Sequence, residues 1–131
     1  MRYLLDTCTV SYIIKNSYPK LQEHLTNHCE SDLAISTITQ AELIYGIKKK
    51  PSKKTEHALE GFFELVHILP FDSACAFTYG KMRANYEKKG ISLGALDGLI
   101  AAHAITEKRI LITKDKAFSF INELKVEDWT V

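Results

Sequence analysis

The chain has 131 residues, 46% of them hydrophobic and 25% charged, which is long enough for a real core and carries no bias toward disorder. Its formal net charge is +1, so no overall field draws it to nucleic acid or membrane, and binding there needs a local patch. Cys8, Cys29 and Cys75 are an odd number without a C-x-x-C spacing, which points to a reducing compartment rather than a disulfide framework.

The N-terminal MRYLLDT meets an acid too early for a signal peptide. No apolar run approaches the roughly 20 residues that span a bilayer. The expected location is the cytoplasm, with no membrane partner. Arg2 to Leu5, ended by Asp6, reads as a buried parallel strand. Thr7 and Thr9 can cap a helix from Val10 to Lys15, broken at Asn16-Ser17-Tyr18-Pro19. A polar amphipathic helix follows from about Lys20 to Cys29, then a strand, Leu33 to Ile35. Ile38 to Lys48 reads as a helix, with Thr37 and Gln40 as a capping box. The basic turn Lys48 to Lys54 holds Pro51, which stops that helix, and Thr55 to Leu65 resumes as helix with Leu59, Phe62, Phe63 and Val66 on its apolar face. His67 to Leu69 is a third strand. Asp72 or Ser73 caps a long helix to Lys89, with Gly90 as its C′ residue. An almost wholly apolar helix, Leu99 to Ile105, precedes a strand from Ile110 to Thr113. The tail from Phe118 to Val131 adds a short helix and an edge strand, Lys125 to Val126. Strands alternating with helices predict a three-layer α/β/α fold with a mainly parallel sheet, in a single domain over residues 1–131.

Four acids stand out. Asp6 follows the first strand, a favoured ligand address in open α/β sheets, although Asp is also a good helix cap. Glu42 shares a helical face with Ile38 and Tyr45, so a carboxylate interrupts an apolar stripe. Its bland reading is a capping box from Thr39, but the Thr37/Gln40 pair lies earlier and leaves Glu42 inside the helix. Asp97 reads as the cap or first-turn acid of the apolar helix, and Asp115 as the cap of a small helix from Lys116. In a parallel sheet, strand C-termini and helix N-termini lie on one edge. Asp6, Asp97 and Asp115 would gather there, with Glu42 reaching them from a second helix. Such a group cannot stay ionised without a counter-charge, and all-oxygen ligation selects Mg²⁺, with Mn²⁺ as the alternative. Asp6, Asp97 and Asp115 are the expected ligands, and Thr113 could add an orienting hydroxyl. The ion would lower the pKa of a bound water and neutralise a phosphodiester.

The segments LLDT, TQAELIYGI, LDGLIAAHAI, ILITKD and VEDW resemble the PIN domain, and more closely the VapC-type toxins of bacterial toxin–antitoxin pairs. The match runs from Tyr3 to Trp129. The resemblance implies a Mg²⁺/Mn²⁺-dependent endoribonuclease using Asp6, Glu42, Asp97 and Asp115, supported by Thr7 and Thr113. It also implies tRNA or ribosomal RNA as the target, cut to inhibit translation, a small antitoxin that occludes the site, and a homodimer. Two positions depart from the pattern. Lys114 stands where Asn is frequent, and Gly98 follows Asp97 where a larger apolar residue is commoner, which predicts a looser helix start.

Other features read blandly. The lysine turn suits RNA phosphates but is more ordinarily a solvated loop. His24 and His28 have i, i+4 spacing but no further zinc ligand. His103 reads as a satisfied core histidine, and Cys8 as a small buried residue without a base to activate it. The rival readings are a phospho-receiver-like signalling domain, which needs paired acids after the first strand where Asp6 stands alone, and a catalytically silent PIN-like binding module, which the complete acid set disfavours.

Overall fold

A computed structural model describes residues 2–131; Met1, the first residue of the expected domain, lies outside the described residues. The five strands are β1 (Tyr3–Leu5), β2 (Leu33–Ser36), β3 (His67–Leu69), β4 (Ile110–Ile112) and β5 (Val126–Glu127). They form one sheet in the order β3-β2-β1-β4-β5, and every neighbouring pair is parallel. Parallel neighbours need crossovers, and the six helices supply them: α1 (Thr7–Lys15), α2 (Pro19–Asn27), α3 (Thr37–Lys49), α4 (Lys53–Leu65), α5 (Ser73–Lys88) and α6 (Ala95–Thr106).

The period-two alternation of each central strand divides its side chains between two cores. Leu4, Ala34 and Leu111 pack with Met82 and Tyr86 of α5 and with Ile100, Ala101 and Ala104 of α6. Tyr3, Leu5, Leu33, Ile35 and Ile112 pack with Val10, Leu21, Leu43, Leu59 and Phe62 from α1 to α4, and with Trp129. The result is the predicted three-layer α/β/α architecture, with the sheet wholly parallel.

Several boundaries differ from expectation, and each difference is a matter of capping. Asp6, not Thr7 or Thr9, caps α1, its side chain accepting from the Thr9 N–H. Ser36, not a Thr37/Gln40 box, caps α3 by accepting from the Ile38 N–H. Thr37 instead accepts from the Phe71 N–H at 3.1 Å. Asp72 caps α5. That helix ends as predicted at Gly90, whose φ of 76° is the left-handed conformation glycine adopts without strain. The Gly90 and Ile91 N–H groups close back on Glu87 and Tyr86, a Schellman motif. In the tail, a 3₁₀ turn runs from Lys116 to Phe120, where the capping reading of Asp115 put a small helix, and β5 starts one residue late. Asp115 caps that turn, its side chain accepting from the Ala117 N–H.

Candidate active site

The parallel topology places the ends of β1 and β4 side by side, and the Asp6 N–H extends their ladder to the Ile112 carbonyl. Asp6 is 5% exposed, and both carboxylate oxygens are held. Oδ1 accepts from the Thr9 N–H at 2.8 Å, and Oδ2 accepts from the Thr113 hydroxyl at 2.6 Å. Capping and membership of the acid group, alternatives in the sequence, are one arrangement here, because a carboxylate leaves lone pairs free beyond a single cap bond. Thr113, itself buried, also accepts from the Asp115 N–H at 3.1 Å. One hydroxyl thus fixes the Asp6 side chain and the Asp115 backbone together. Asp115 caps the 3₁₀ turn through Oδ1, and is exposed.

Glu42 reaches the group from α3. It is half-buried, and its Oε1 accepts from the Thr7 hydroxyl at 2.6 Å. That hydroxyl lies 3.3 Å from Thr39 Oγ1. Glu42 caps nothing. The supposed apolar stripe around it is not one, since Tyr45 is 64% exposed while Leu43 and Thr39 take the buried positions. α6 starts four residues earlier than predicted, so Asp97 is an acid of its first turn rather than its cap, placed where the helix dipole favours negative charge.

The charges of the other three acids are felt at Asp97. Burial pushes the Asp97 carboxyl above the ordinary carboxylate value, and the charges of Asp115, Asp6 and Glu42 push it further. The Cys8 thiol is raised in the same way, first by burial and then by Asp6, Asp97, Glu42 and Asp115. The two ion pairs among the described residues, Lys20–Glu23 and Arg83–Glu87, leave all four acids without a basic partner. Lys114, next to Asp115, lies over the Tyr18 ring at 5.5 Å. No three His, Cys, Asp or Glu side chains close into a metal cage among the described residues. An open, all-oxygen, uncompensated group nevertheless suits a hard ion that keeps several of its waters and takes only one or two carboxylates directly.

A groove of ≈ 440 Å³ runs from Thr7 and Glu42 between α1, α3 and α4 to Lys15 and Lys50. Sequence reasoning missed it, as it missed Thr9 and Thr39. The buried threonines of TCT and TITQ were the available signal, since a buried hydroxyl needs a partner. A larger cavity of ≈ 680 Å³, lined by Phe77, Met82, Ile105 and Glu123 among others, holds none of the four acids.

The other candidates resolve differently. His24 and His28 stack on Trp129, with centroids 4.9 and 4.6 Å away, which makes them packing groups rather than a zinc site. His103 is only half satisfied: Nδ1 bonds Ser36 Oγ at 2.8 Å, whereas buried Nε2 has no partner, and burial holds its pKa below the ordinary value. Cys8 is exposed as a residue, against expectation, although its thiol is partly desolvated by its surroundings. Gly98, expected to loosen its helix start, is buried and closely packed instead, since a Cβ there would lie 3.1 Å from atoms of both Tyr79 and Tyr86. The apolar surface is divided: Met82 and Tyr86 belong to the core, while Phe77 is 75% exposed.

The PIN domain family model matches residues 3–124. Ribonuclease VapC2 of Rickettsia felis is 38% identical, with 98% of each chain covered. The tRNA(fMet)-specific endonuclease VapC of Salmonella typhimurium is 34% identical, also with 98% of each covered. Among solved structures, VapBC2 of Rickettsia felis bound to a DNA fragment from its promoter superposes with a TM-score of 0.91 at 36% identity, covering 98% of this chain and 99% of that one. VapBC-1 of nontypeable Haemophilus influenzae gives 0.88 at 32% identity, with both chains covered in full. No helix among the described residues is long and apolar enough to cross a membrane. With the PIN model spanning nearly the whole chain and VapC relatives matched end to end, the chain belongs to the PIN-domain family, in its VapC group.

Proposed function

We propose that this chain is a divalent-metal-dependent endoribonuclease, the toxin of a toxin–antitoxin pair, formed by one PIN-like domain over residues 1–131. The observation that carries the reading is that Asp6, Glu42, Asp97 and Asp115 have no basic partner among the described residues, while Asp97 is raised by burial and by the charges of the other three. Asp6, Asp97 and Asp115 would hold Mg²⁺ or Mn²⁺. When bound, the ion would activate water and neutralise a phosphodiester.

The chain's own side chains prepare the site. Thr9 and Thr113 immobilise Asp6 through both oxygens, so little ordering remains when a ligand arrives. Thr7 holds its proton against Glu42 Oε1 and so fixes the orientation of that carboxylate. The groove toward Lys15 and Lys50 offers ammonium groups to an RNA backbone, a local patch in a nearly neutral protein. The substrate class is tRNA or ribosomal RNA, the tRNA arm supported by the name of the Salmonella relative. A small antitoxin partner is supported by the VapBC complexes. A homodimer and a cytoplasmic setting complete the proposal. A phospho-receiver is disfavoured because the strand that should carry its acid ends at Leu69-Pro70. A silent PIN-like module is disfavoured because no carboxylate is missing.

Cleavage of total tRNA and of ribosomal RNA by the purified chain tests the reading. Cutting is expected with Mg²⁺ or Mn²⁺, absent in EDTA, and reduced on the order of 10²–10³-fold in Asp97→Asn, the scale of losing several kcal/mol of metal-assisted stabilisation. Equal cutting in EDTA, or a fully active Asp97→Asn, sinks the mechanism.

A further inference from the structure

Gly98 differs from the other glycines inside helices. Gly46, Gly61 and Gly80 face open space, with nothing within 4 Å of an added Cβ. At Gly98 a Cβ would meet Tyr79 Cε1 and Tyr86 Oη, each at 3.1 Å, tighter than side chains ordinarily accept. Glycine is among the weakest helix formers, and here it lets the first turn of α6 lie directly on the two tyrosines of α5. The tyrosines are held differently. Tyr86 is 4% exposed, and its buried hydroxyl has no partner, so its ring is fixed by packing. Tyr79 is half-buried and accepts a hydrogen bond at 2.6 Å from Arg83 on the surface, so it can yield. At the far end the two helices are pinned by Thr78 and Thr106, whose hydroxyls lie 2.9 Å apart. A spacer at Gly98 would therefore lift mainly the first turn, which carries Asp97.

We propose that Gly98, seated on Tyr79 and Tyr86, is a positioning residue that sets how closely Asp97 approaches Asp6, Glu42 and Asp115. The proposal rests on the ribonuclease reading for its consequence but not for its geometry. It reverses the sequence expectation, because the small residue tightens the start of α6 instead of loosening it. A displacement of a few tenths of an ångström suffices, since a misplacement of about 1 Å can cost about 10²-fold in rate.

The test compares the full chain with Gly98→Ala, Tyr86→Phe and the double variant. Two readouts are taken: calorimetric Mn²⁺ binding without RNA, and cleavage of total tRNA. Gly98→Ala is expected to weaken Mn²⁺ binding and to lower the rate at saturating tRNA, each by roughly three- to tenfold, with half-saturating tRNA within about twofold. Tyr86→Phe removes the hydroxyl that the added methyl group would strike, and should return the double variant to within about twofold of wild type. Should Gly98→Ala fail to fold, recovery of folding and Mn²⁺ binding in the double variant still supports the seat. Wild-type Mn²⁺ affinity in Gly98→Ala, loss without rescue by Tyr86→Phe, or no Mn²⁺ binding by the wild type each overturns the proposal. Wild-type Mn²⁺ binding and rescue without cleavage of any RNA would instead overturn the ribonuclease reading and leave the positioning role standing.

Discussion

The two edges of the sheet treat buried polar groups in opposite ways. At the edge where the strands begin, Arg109 is buried and its guanidinium donates to the Tyr3 and Asp32 carbonyls at 3.2 and 3.3 Å. Beside it, Tyr3 makes edge contacts with His28 and with Trp129, which comes from the tail beyond β5 and donates to Glu127 at 2.9 Å. Arg109 Nε is the buried polar atom of that edge left without a partner. At the edge where the strands end, Asp6 and Asp115 meet hydroxyl and amide donors, Glu42 meets the Thr7 hydroxyl, and no ion pair among the described residues supplies these acids or Asp97 with a cation. Hydrogen bonds orient Asp6, Glu42 and Asp115, while burial and then the neighbouring acids push the Asp97 carboxyl above its ordinary value. The first edge holds the fold together. The second leaves its acids without a basic partner, the feature on which the proposed metal site rests.

The contrast breaks most visibly at Trp129, which is 1% exposed. Trp129→Ala should cost about 3–5 kcal/mol of stability, measured by urea denaturation, while cleavage per folded molecule stays within about threefold. A large loss of specific activity in a fully folded variant would mean that the two edges are coupled.

Asp97→Asn should do the reverse, lowering cleavage on the order of 10²–10³-fold while raising the Tm of the metal-free protein. The sign follows from the raised Asp97 carboxyl. Between its ordinary value and its raised value in the fold, the native state binds more protons than the unfolded state, so stability falls as pH rises through that window and then levels off. Metal-free Tm measured against pH should show this decline in the wild type and a smaller one in Asp97→Asn. A Tm that rises across the window in the wild type, owing to this group, is the contrary result.

The smallest effect is expected at Cys8. Its thiol is raised by burial and by all four acids, which holds it protonated near neutral pH and unfit as a nucleophile. Cys8→Ser should retain cleavage within about twofold in the RNA assay, and a larger loss would give the thiol a role the carboxylates do not explain.

Much of this was legible in the sequence. The alternation of short apolar runs with helices pointed to the three-layer fold, because a strand buried on both faces must be apolar throughout and a parallel neighbour must be reached through a crossover. The acids were visible as charges at the ends of those runs. Their convergence followed from topology, since Asp6 and Asp115 close parallel strands and Asp97 opens a helix. Local chemistry determined which residues were eligible. The fold decided how each was used: that Asp6 caps and belongs to the site at once, that Ser36 displaces Thr37 as a cap, and that the paired histidines stack on a tryptophan 105 and 101 positions away. It also decided that Gly98 brings helices together where the sequence predicted slack. The physical reason is the same in each case. A carboxylate, an imidazole or a missing Cβ has several possible partners within its own segment, and only packing against distant segments selects among them.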